Sequence, residues 1–267
     1  MYKLSQINVY PIKSLAGIPL QSSFVDERGL IHDRRWMLVY ENGMFFTQRD
    51  HPQMALLQPS IEKNILKVSH KHSKTDELEI PLVPDGSSEI DVTVWDDKCI
   101  AQTYSTQIDE WFSNVIGIKC RLVFMPDSFR REINNEFVQN KSVGFADAYP
   151  FLIIGKESLK KFNGHLKVPL PMNRFRTNFV FSGGSPFDED TWKRIKIGDV
   201  VFDVIKPCAR CVITTVNQST GEKGKEPLAA LSKFRRVNGK VLFGQNMVAD
   251  SAGEININLQ IEVLERK

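Results

Sequence analysis

Short apolar runs separated by turn-forming residues recur along nearly the whole chain, and that spacing confines it to a β-rich fold. Residues 3–12 read as a strand. Residues 35–40 and 44–48 flank Glu41-Asn42-Gly43, a hairpin signal because Asn-Gly tolerates the left-handed backbone of tight turns. Residues 65–69 with 78–82, and residues 90–95 with 99–104 across Asp96-Asp97-Lys98, read as further hairpins of a small barrel-like sheet. After Ser105, a candidate N-cap, Ile108, Trp111, Phe112, Val115 and Ile116 fall at helical spacing, and Gly117 supplies the stop.

Residues 120–125 read as one more strand of the first unit, and a second β-rich set follows in residues 151–154, 179–181, 196–205 around the turn Gly198-Asp199, and the β-branched run 212–216. Ile255, Ile257, Leu259, Ile261 and Val263 alternate as one half-buried strand does, while residues 157–162 and 227–235 read as short helices. Residues 126–141, polar, Asn-rich and carrying Arg130 and Arg131, read as a loop crossing a cleft. The expectation is a mostly β fold (α+β) in two units, residues 1–125 and 126–267, with the final strand free to pack on either.

Composition narrows the function classes. Lys and Arg number 35 against 32 Asp and Glu, and a formal charge of +3 predicts no nucleic-acid footprint. No apolar run approaches the roughly 18 residues of a membrane span, so no membrane partner is expected. The opening Met1-Tyr2-Lys3-Leu4-Ser5-Gln6 has no leader pattern, from which a cytoplasmic protein is expected. Cys99, Cys120, Cys208 and Cys211 are then read as reduced thiols, available for metal or redox chemistry.

The most chemically suggestive stretch is Cys208-Ala209-Arg210-Cys211. Two thiols at this spacing can share a metal, form a redox pair, leave one thiolate free, or lie buried as small hydrophobes. A structural zinc would need two more soft ligands, and none stands at a matching spacing. Lys13-Ser14, with Gly17 close by, can offer an ammonium, a hydroxyl and backbone N–H groups to a phosphate, against the default of a solvated lysine. Arg34 in Asp33-Arg34-Arg35-Trp36 can grip an anion or form a surface ion pair. In Arg174-Phe175-Arg176-Thr177-Asn178, strand alternation would put Arg176 and Asn178 on one face; the alternative is a charged strand edge.

Taken together, these residues resemble the MOSC family, named for the C-terminal domain of molybdenum cofactor sulfurase, and within it the branch of the mitochondrial amidoxime-reducing component and its bacterial relatives. Tyr10-Pro11-Ile12-Lys13-Ser14 through Phe46-Thr47-Gln48-Arg49 is similar to the family's N-terminal β-barrel domain. The stretch from Phe145-Ala146-Asp147-Ala148-Tyr149-Pro150 to Leu242-Phe243-Gly244-Gln245 is similar to its MOSC β-barrel domain. The most specific run is Lys206-Pro207-Cys208-Ala209-Arg210-Cys211-Val212-Ile213-Thr214-Thr215-Val216-Asn217, followed by Gly221 and Glu226-Pro227-Leu228.

The resemblance implies a molybdenum–molybdopterin cofactor in a cleft between the two domains, with Cys211 as metal ligand and catalytic residue and Cys208 as its neighbour. It implies cofactor contacts from Lys13, Ser14, Arg34, Arg176 and Arg210, with Asp147, Ala148 and Asn178 adding to the set. Ala148 and Ala209 stand where relatives can carry hydroxyls, so any contact there comes from the backbone. The implied activity is reduction of N-hydroxylated small molecules by oxygen-atom transfer, and the alternative is a sulfur or cofactor carrier acting through a persulfide on Cys211. Pyridoxal phosphate is a further ligand associated with the family. The chain carries no Cys-x4-Cys-x2-Cys run after the MOSC domain, so a separate ferredoxin, flavodoxin or reductase is expected to deliver electrons.

Overall fold

Strands with one apolar face bury it most completely by closing on themselves, and seven strands of this chain do so. In the computed structural model, which describes residues 1–73, 75–85, 88–133 and 136–267, they are β1 (Tyr2–Val9), β2 (Phe151–Gly155), β3 (Phe179–Ser182), β4 (Trp192–Ile197), β5 (Val200–Ala209), β6 (Lys240–Ala249) and β7 (Gln260–Arg266). They pair in the order β2-β3-β1-β7-β4-β5-β6, and β6 returns to β2 through Phe151↔Met247 and Leu152↔Asn246. β2 and β3 run parallel, which requires a crossover, and helix α2 (Lys156–Asn163) lies in that connection. The interior is filled by Leu4, Ile7, Trp192, Ile195 and a triad of rings: Phe151 stacks on Phe179 at 5.4 Å, and Phe202 meets both edge-on.

The N-terminal half is an open half-barrel. Trp36–Val39, Arg121–Phe124, Asp97–Thr103 and Glu89–Val94 form one antiparallel sheet in that order, and Leu57–Glu62, Ile65–His70 and Leu78–Pro81 form another. Helix α1 (Thr106–Ile116) lays Ile108, Phe112 and Ile116 into a core shared with Trp36, Leu38, Leu57, Leu66 and Ile80. It stops at Gly117, whose φ of 77° suits a residue without Cβ. β1 lies in the barrel between β3 and β7, tying the first residues to the C-terminal half. No helix among the described residues is long and apolar enough to cross a membrane.

Four expectations need correction. Residues 212–216 form no strand: Val212–Thr215 is a 3-10 turn, because the Thr214 and Thr215 hydroxyls donate back to the carbonyls of Cys211 at 2.9 Å and Val212 at 2.7 Å. That local bonding overrides the β preference of branched side chains. The alternating run 255–263 is two strands, Gly253–Asn256 on Ser22–Asp26 and β7 in the barrel, broken at Asn258 with φ 72°. Residues 44–48 keep the expected hairpin bonds, Tyr40 N–H to Met44 O and Phe46 N–H to Leu38 O, yet pair only through isolated bridges. Within residues 126–141, Glu132–Ile133 pairs with Lys141–Ser142, while positions 134 and 135 of the expected loop lie outside the described residues. β6 is not among the expected strands, since Gly244 interrupts its apolar pattern; a Cβ there would come within 2.6 Å of Ile154.

Candidate cofactor site

After β1 the chain leaves the barrel at Tyr10 and zips against residues 34–36, with Arg34 N–H on Tyr10 O at 2.9 Å, Trp36 N–H on Pro11 O and Lys13 N–H on Trp36 O at 2.7 Å. Ser14, Arg34 and Arg176 all take left-handed backbone, at φ 68°, 49° and 53°. Such residues cost roughly 1–2 kcal/mol each and persist only where neighbours hold them. Here Gln48 donates to the Ser14 carbonyl, and Phe145 N–H donates to the Arg34 carbonyl at 2.7 Å. Gly144 permits that approach, since its Cβ would stand 2.7 Å from the Arg34 oxygen.

The result is one cavity of about 700 Å³ whose lining includes Lys13, Ser14, Arg34, Asp147, Ala148, Arg176, Asn178, Arg210 and Cys211, all nine of the expected site residues. Leu152 of β2, Lys206 of β5 and Asn246 of β6 place it against the barrel's outer wall. The volume lies within the range of small-molecule sites. Lys13, Arg34, Arg49, Arg176, Lys206, Arg210 and Lys240 surround it, and Asp147 is the single carboxylate in its lining among the described residues. Such a donor set suits a phosphate-bearing ligand.

Asp33 and Tyr10 brace the cationic wall, and neither was assigned a role from sequence. The Tyr10 ring lies between the guanidinium groups of Arg34 and Arg176, each 4.3 Å from its centre. The buried Asp33 accepts Tyr10 N–H at 2.7 Å on one oxygen, and Arg34 and Asn178 on the other. Burial pushes the Asp33 carboxyl up, and the Arg34 charge opposes that rise. Asn178 Oδ1 accepts from Leu152 N–H at 3.3 Å and from Arg34 at 3.2 Å. Arg176 and Asn178 do come together, but not by strand alternation: Arg176 closes the turn Met172–Phe175, and β3 begins only at Phe179. Arg176 donates to Leu15 O at 2.6 Å, and burial lowers its pKa to about 10.

Gly17 explains why a glycine follows Lys13-Ser14. A Cβ there would stand 2.6 Å from the Tyr10 ring. Gly17→Ala is expected to cost about 1–3 kcal/mol by overpacking, read by urea unfolding, and to weaken phosphate binding because the displaced ring no longer separates the two arginines. Unchanged stability and binding would mean that Tyr10 does not set their spacing.

Lys13 is buried, and its ammonium donates to Phe145 O at 2.6 Å and Asp147 at 2.5 Å. Burial lowers its pKa to about 8, with Asp147 opposing the fall. Burial would raise the half-exposed Asp147 carboxyl, but the charges and hydrogen bonds of Lys13 and Arg49 outweigh it and hold the group well below the usual carboxylate range. The ammonium is therefore charged below pH 8 and lost above it. Pyrophosphate affinity is expected to fall several-fold between pH 7 and 9 and to stay level in Lys13→Arg, as calorimetry can show; equal slopes would exclude Lys13 as the titrating ligand.

The four thiols are free and divide by environment. Burial pushes Cys99 and Cys120 each up to about 11, as befits small core residues. Cys208 and Cys211 both line the cavity but have different partners. Cys208 Sγ accepts from Arg210 Nη1 at 2.9 Å, whereas Cys211 faces Arg49, which also grips Asp147. Arg49 is the third member of the site not assigned from sequence, although it stands in the quoted Phe46-Thr47-Gln48-Arg49 motif. Among the described residues no group of three or more His, Cys, Asp or Glu could hold a metal, so a metal here would draw at most two ligands from such side chains and the rest from a cofactor or water. Among the described residues Arg210 Nε is buried without a partner, an orphaned donor beside the cavity that an anionic ligand would satisfy.

Comparison with known proteins identifies two domains in the chain. Residues 1–119 match the MOSC N-terminal beta barrel domain, and residues 140–262 match the MOSC domain. The chain is 34% identical over 267 residues to molybdenum cofactor sulfurase of Arabidopsis thaliana, covering 90% of this chain and 32% of that one. It thus spans about a third of the length of the sulfurases it matches. It is 29% identical over 280 residues to mitochondrial amidoxime-reducing component 1 of Mus musculus, covering 98% of this chain and 82% of that one. Among solved structures, the YUAD protein of Bacillus subtilis aligns over 98% of this chain and 94% of its own at a TM-score of 0.45 and 12% identity.

The expected cytoplasmic location is corrected by the amidoxime-reducing relatives, which are named for the mitochondrion. That expectation rested on what the first residues lack, and a missing pattern assigns no compartment. Nothing in these matches supports pyridoxal phosphate as a ligand. With both domains matched in order along the chain, the protein belongs to the MOSC family, an N-terminal MOSC β-barrel domain followed by a MOSC domain.

Proposed function

We propose that this protein is a molybdenum-cofactor-dependent reductase of N-hydroxylated compounds, with Cys211 as the one protein thiolate on the metal. The observation that carries the reading is the convergence of Cys211 with Lys13, Ser14, Arg34, Arg176 and Arg210 on a single cavity holding one carboxylate. Relatives named for amidoxime reduction, matched over almost the whole chain, support the same chemistry. Residues 1–125 would contribute Lys13, Ser14, Arg34 and Arg49, and residues 126–267 the thiolate, so that the cofactor lies between the two units.

In this reading Lys13, Ser14, Arg34, Arg176 and Arg210 would hold the phosphate and pterin of the cofactor. Asn178 and Asp33 keep Arg34 aimed, while Asp147 orders Lys13 and Arg49 and Ala148 offers backbone groups. Arg49 sets the approach to Cys211. When bound, the molybdenum–molybdopterin group would supply two-electron oxygen-atom transfer from the substrate's N–O bond. The balance is R–NHOH plus two electrons and two protons to R–NH2 and water, with electrons delivered by a separate ferredoxin, flavodoxin or reductase.

The sulfurase relatives favour a second reading, a sulfur or cofactor carrier with a persulfide on Cys211. Protein made in a molybdopterin-producing host separates the two. The reductase reading expects bound molybdenum and turnover of hydroxylamines, amidoximes or N-hydroxylated bases with reduced viologen. Absence of molybdenum would sink it, and cyanide-labile sulfur lost in Cys211→Ser, without turnover, would select the carrier.

A further inference from the structure

The rim of the cavity carries a surface that neither reading uses. Residues 206–240, which enclose Cys211, hold eight lysines and arginines and two glutamates, in a chain whose total formal charge is only +3. The rest of the molecule is therefore net negative. Both glutamates are engaged locally: Glu226 accepts Ala230 N–H at 2.9 Å at the start of α3 (Leu228–Phe234), and Glu222 accepts the Thr220 hydroxyl at 3.1 Å. Arg235 pairs with Asp190, but among the described residues Lys206, Lys223, Lys225, Lys233, Arg236 and Lys240 make no salt bridge.

Exposed apolar side chains stand among these cations. Val212, beside Cys211, is 50% exposed, and Val237 is 54% exposed. Val237 pairs with Lys240 at the tip of a hairpin and, like Lys240, lines the cavity. Across the mouth Lys206 lies 5.0 Å from the ring of Phe137, itself 51% exposed. Exposed apolar side chains close to cations of one sign, as at Val237 beside Arg236 and Lys240 and at Phe137 beside Lys206, suit a contact with an oppositely charged protein. A phosphate backbone would draw on the cations but gain nothing from exposed valines.

We propose that this rim is the docking surface for an acidic electron-carrying protein, which approaches the cavity mouth through Val212 and Val237 and is steered by Lys206, Arg236 and Lys240. The inference rests on the reductase reading. Association is of the small, transient kind that redox partners use, with salt-sensitive attraction and a short-lived apolar contact. Because the partner covers the mouth, electron delivery and substrate entry alternate.

The test uses the full-length protein and a strongly acidic [2Fe–2S] ferredoxin as the probe, with binding followed by calorimetry. Binding at low ionic strength is expected to weaken at least tenfold in 0.5 M salt, and at least tenfold in Arg236→Glu/Lys240→Glu. Lys63→Glu/Lys119→Glu, in the N-terminal half, is expected to leave it unchanged. No binding, equal loss in both double variants, or preferential capture of duplex DNA or anionic vesicles through the same rim would overturn the proposal. Turnover of the wild type with a small viologen donor reports on the reductase reading alone, so a failure of either idea is recognised separately.

Discussion

Cys211→Ala is expected to abolish molybdenum-dependent turnover of N-hydroxylated substrates, while Cys208→Ala keeps activity within about tenfold of wild type. The two thiols stand three residues apart on one cavity wall, so proximity alone does not distinguish them. Their partners do. Cys208 receives an Arg210 guanidinium, and its loss releases that arginine without removing a metal bond, an effect of about tenfold, the low end of what losing such a hydrogen-bonding neighbour costs. Cys211 faces Arg49 and through it the Asp147–Lys13 pair, at the junction of the anion cradle and the thiolate. Molybdenum content measured beside turnover completes the test: equal loss of metal in both variants would contradict the single-thiolate reading.

Asp33→Ala is expected to destabilise the protein by about 3–5 kcal/mol, the usual result of removing one partner from a buried ion pair. The carboxylate is nearly inaccessible and holds Tyr10 N–H, Arg34 and Asn178 together. Without it, a partly buried guanidinium and a buried amide lose their shared acceptor. The melting temperature should fall by on the order of 10 °C, and pyrophosphate binding should weaken in parallel because Arg34 is no longer aimed. Asp33→Asn, which retains an acceptor but not the charge, should lie between. A loss under about 1 kcal/mol in Asp33→Ala would show that the left-handed Arg34 is held by its backbone contacts alone.

The hairpins of the N-terminal half were legible because their turns and apolar alternation agree locally, as at residues 65–69 with 78–82 and 90–95 with 99–104. Barrel closure was not, since β6 hides behind Gly244 and its pairing with β2 joins residues far apart in sequence. The run 212–216 misled because two threonine hydroxyls compete with the strand for backbone carbonyls, an effect that composition does not display. The nine site residues came from family resemblance; their residue types alone left a solvated lysine and a surface ion pair as the default at Lys13 and Arg34. Asp33, Tyr10 and Arg49 escaped notice because their work lies in contacts across the fold. The nearest signal was adjacency, Asp33 beside Arg34 and Tyr10 and Arg49 inside quoted motifs.

One barrel pairing sets a timetable for biosynthesis. β1 finds one of its neighbours in β7, with Tyr2 opposite Ile261, about 260 residues later. At roughly 5–20 residues per second, synthesis separates the two strands by tens of seconds. Lys13 and Ser14, which follow β1, line a cavity whose barrel wall comes from strands made much later. A cavity lined by Lys13 and Ser14 on one side and by Lys206, Cys211 and Asn246 on the other is therefore incomplete until the last of these has been made.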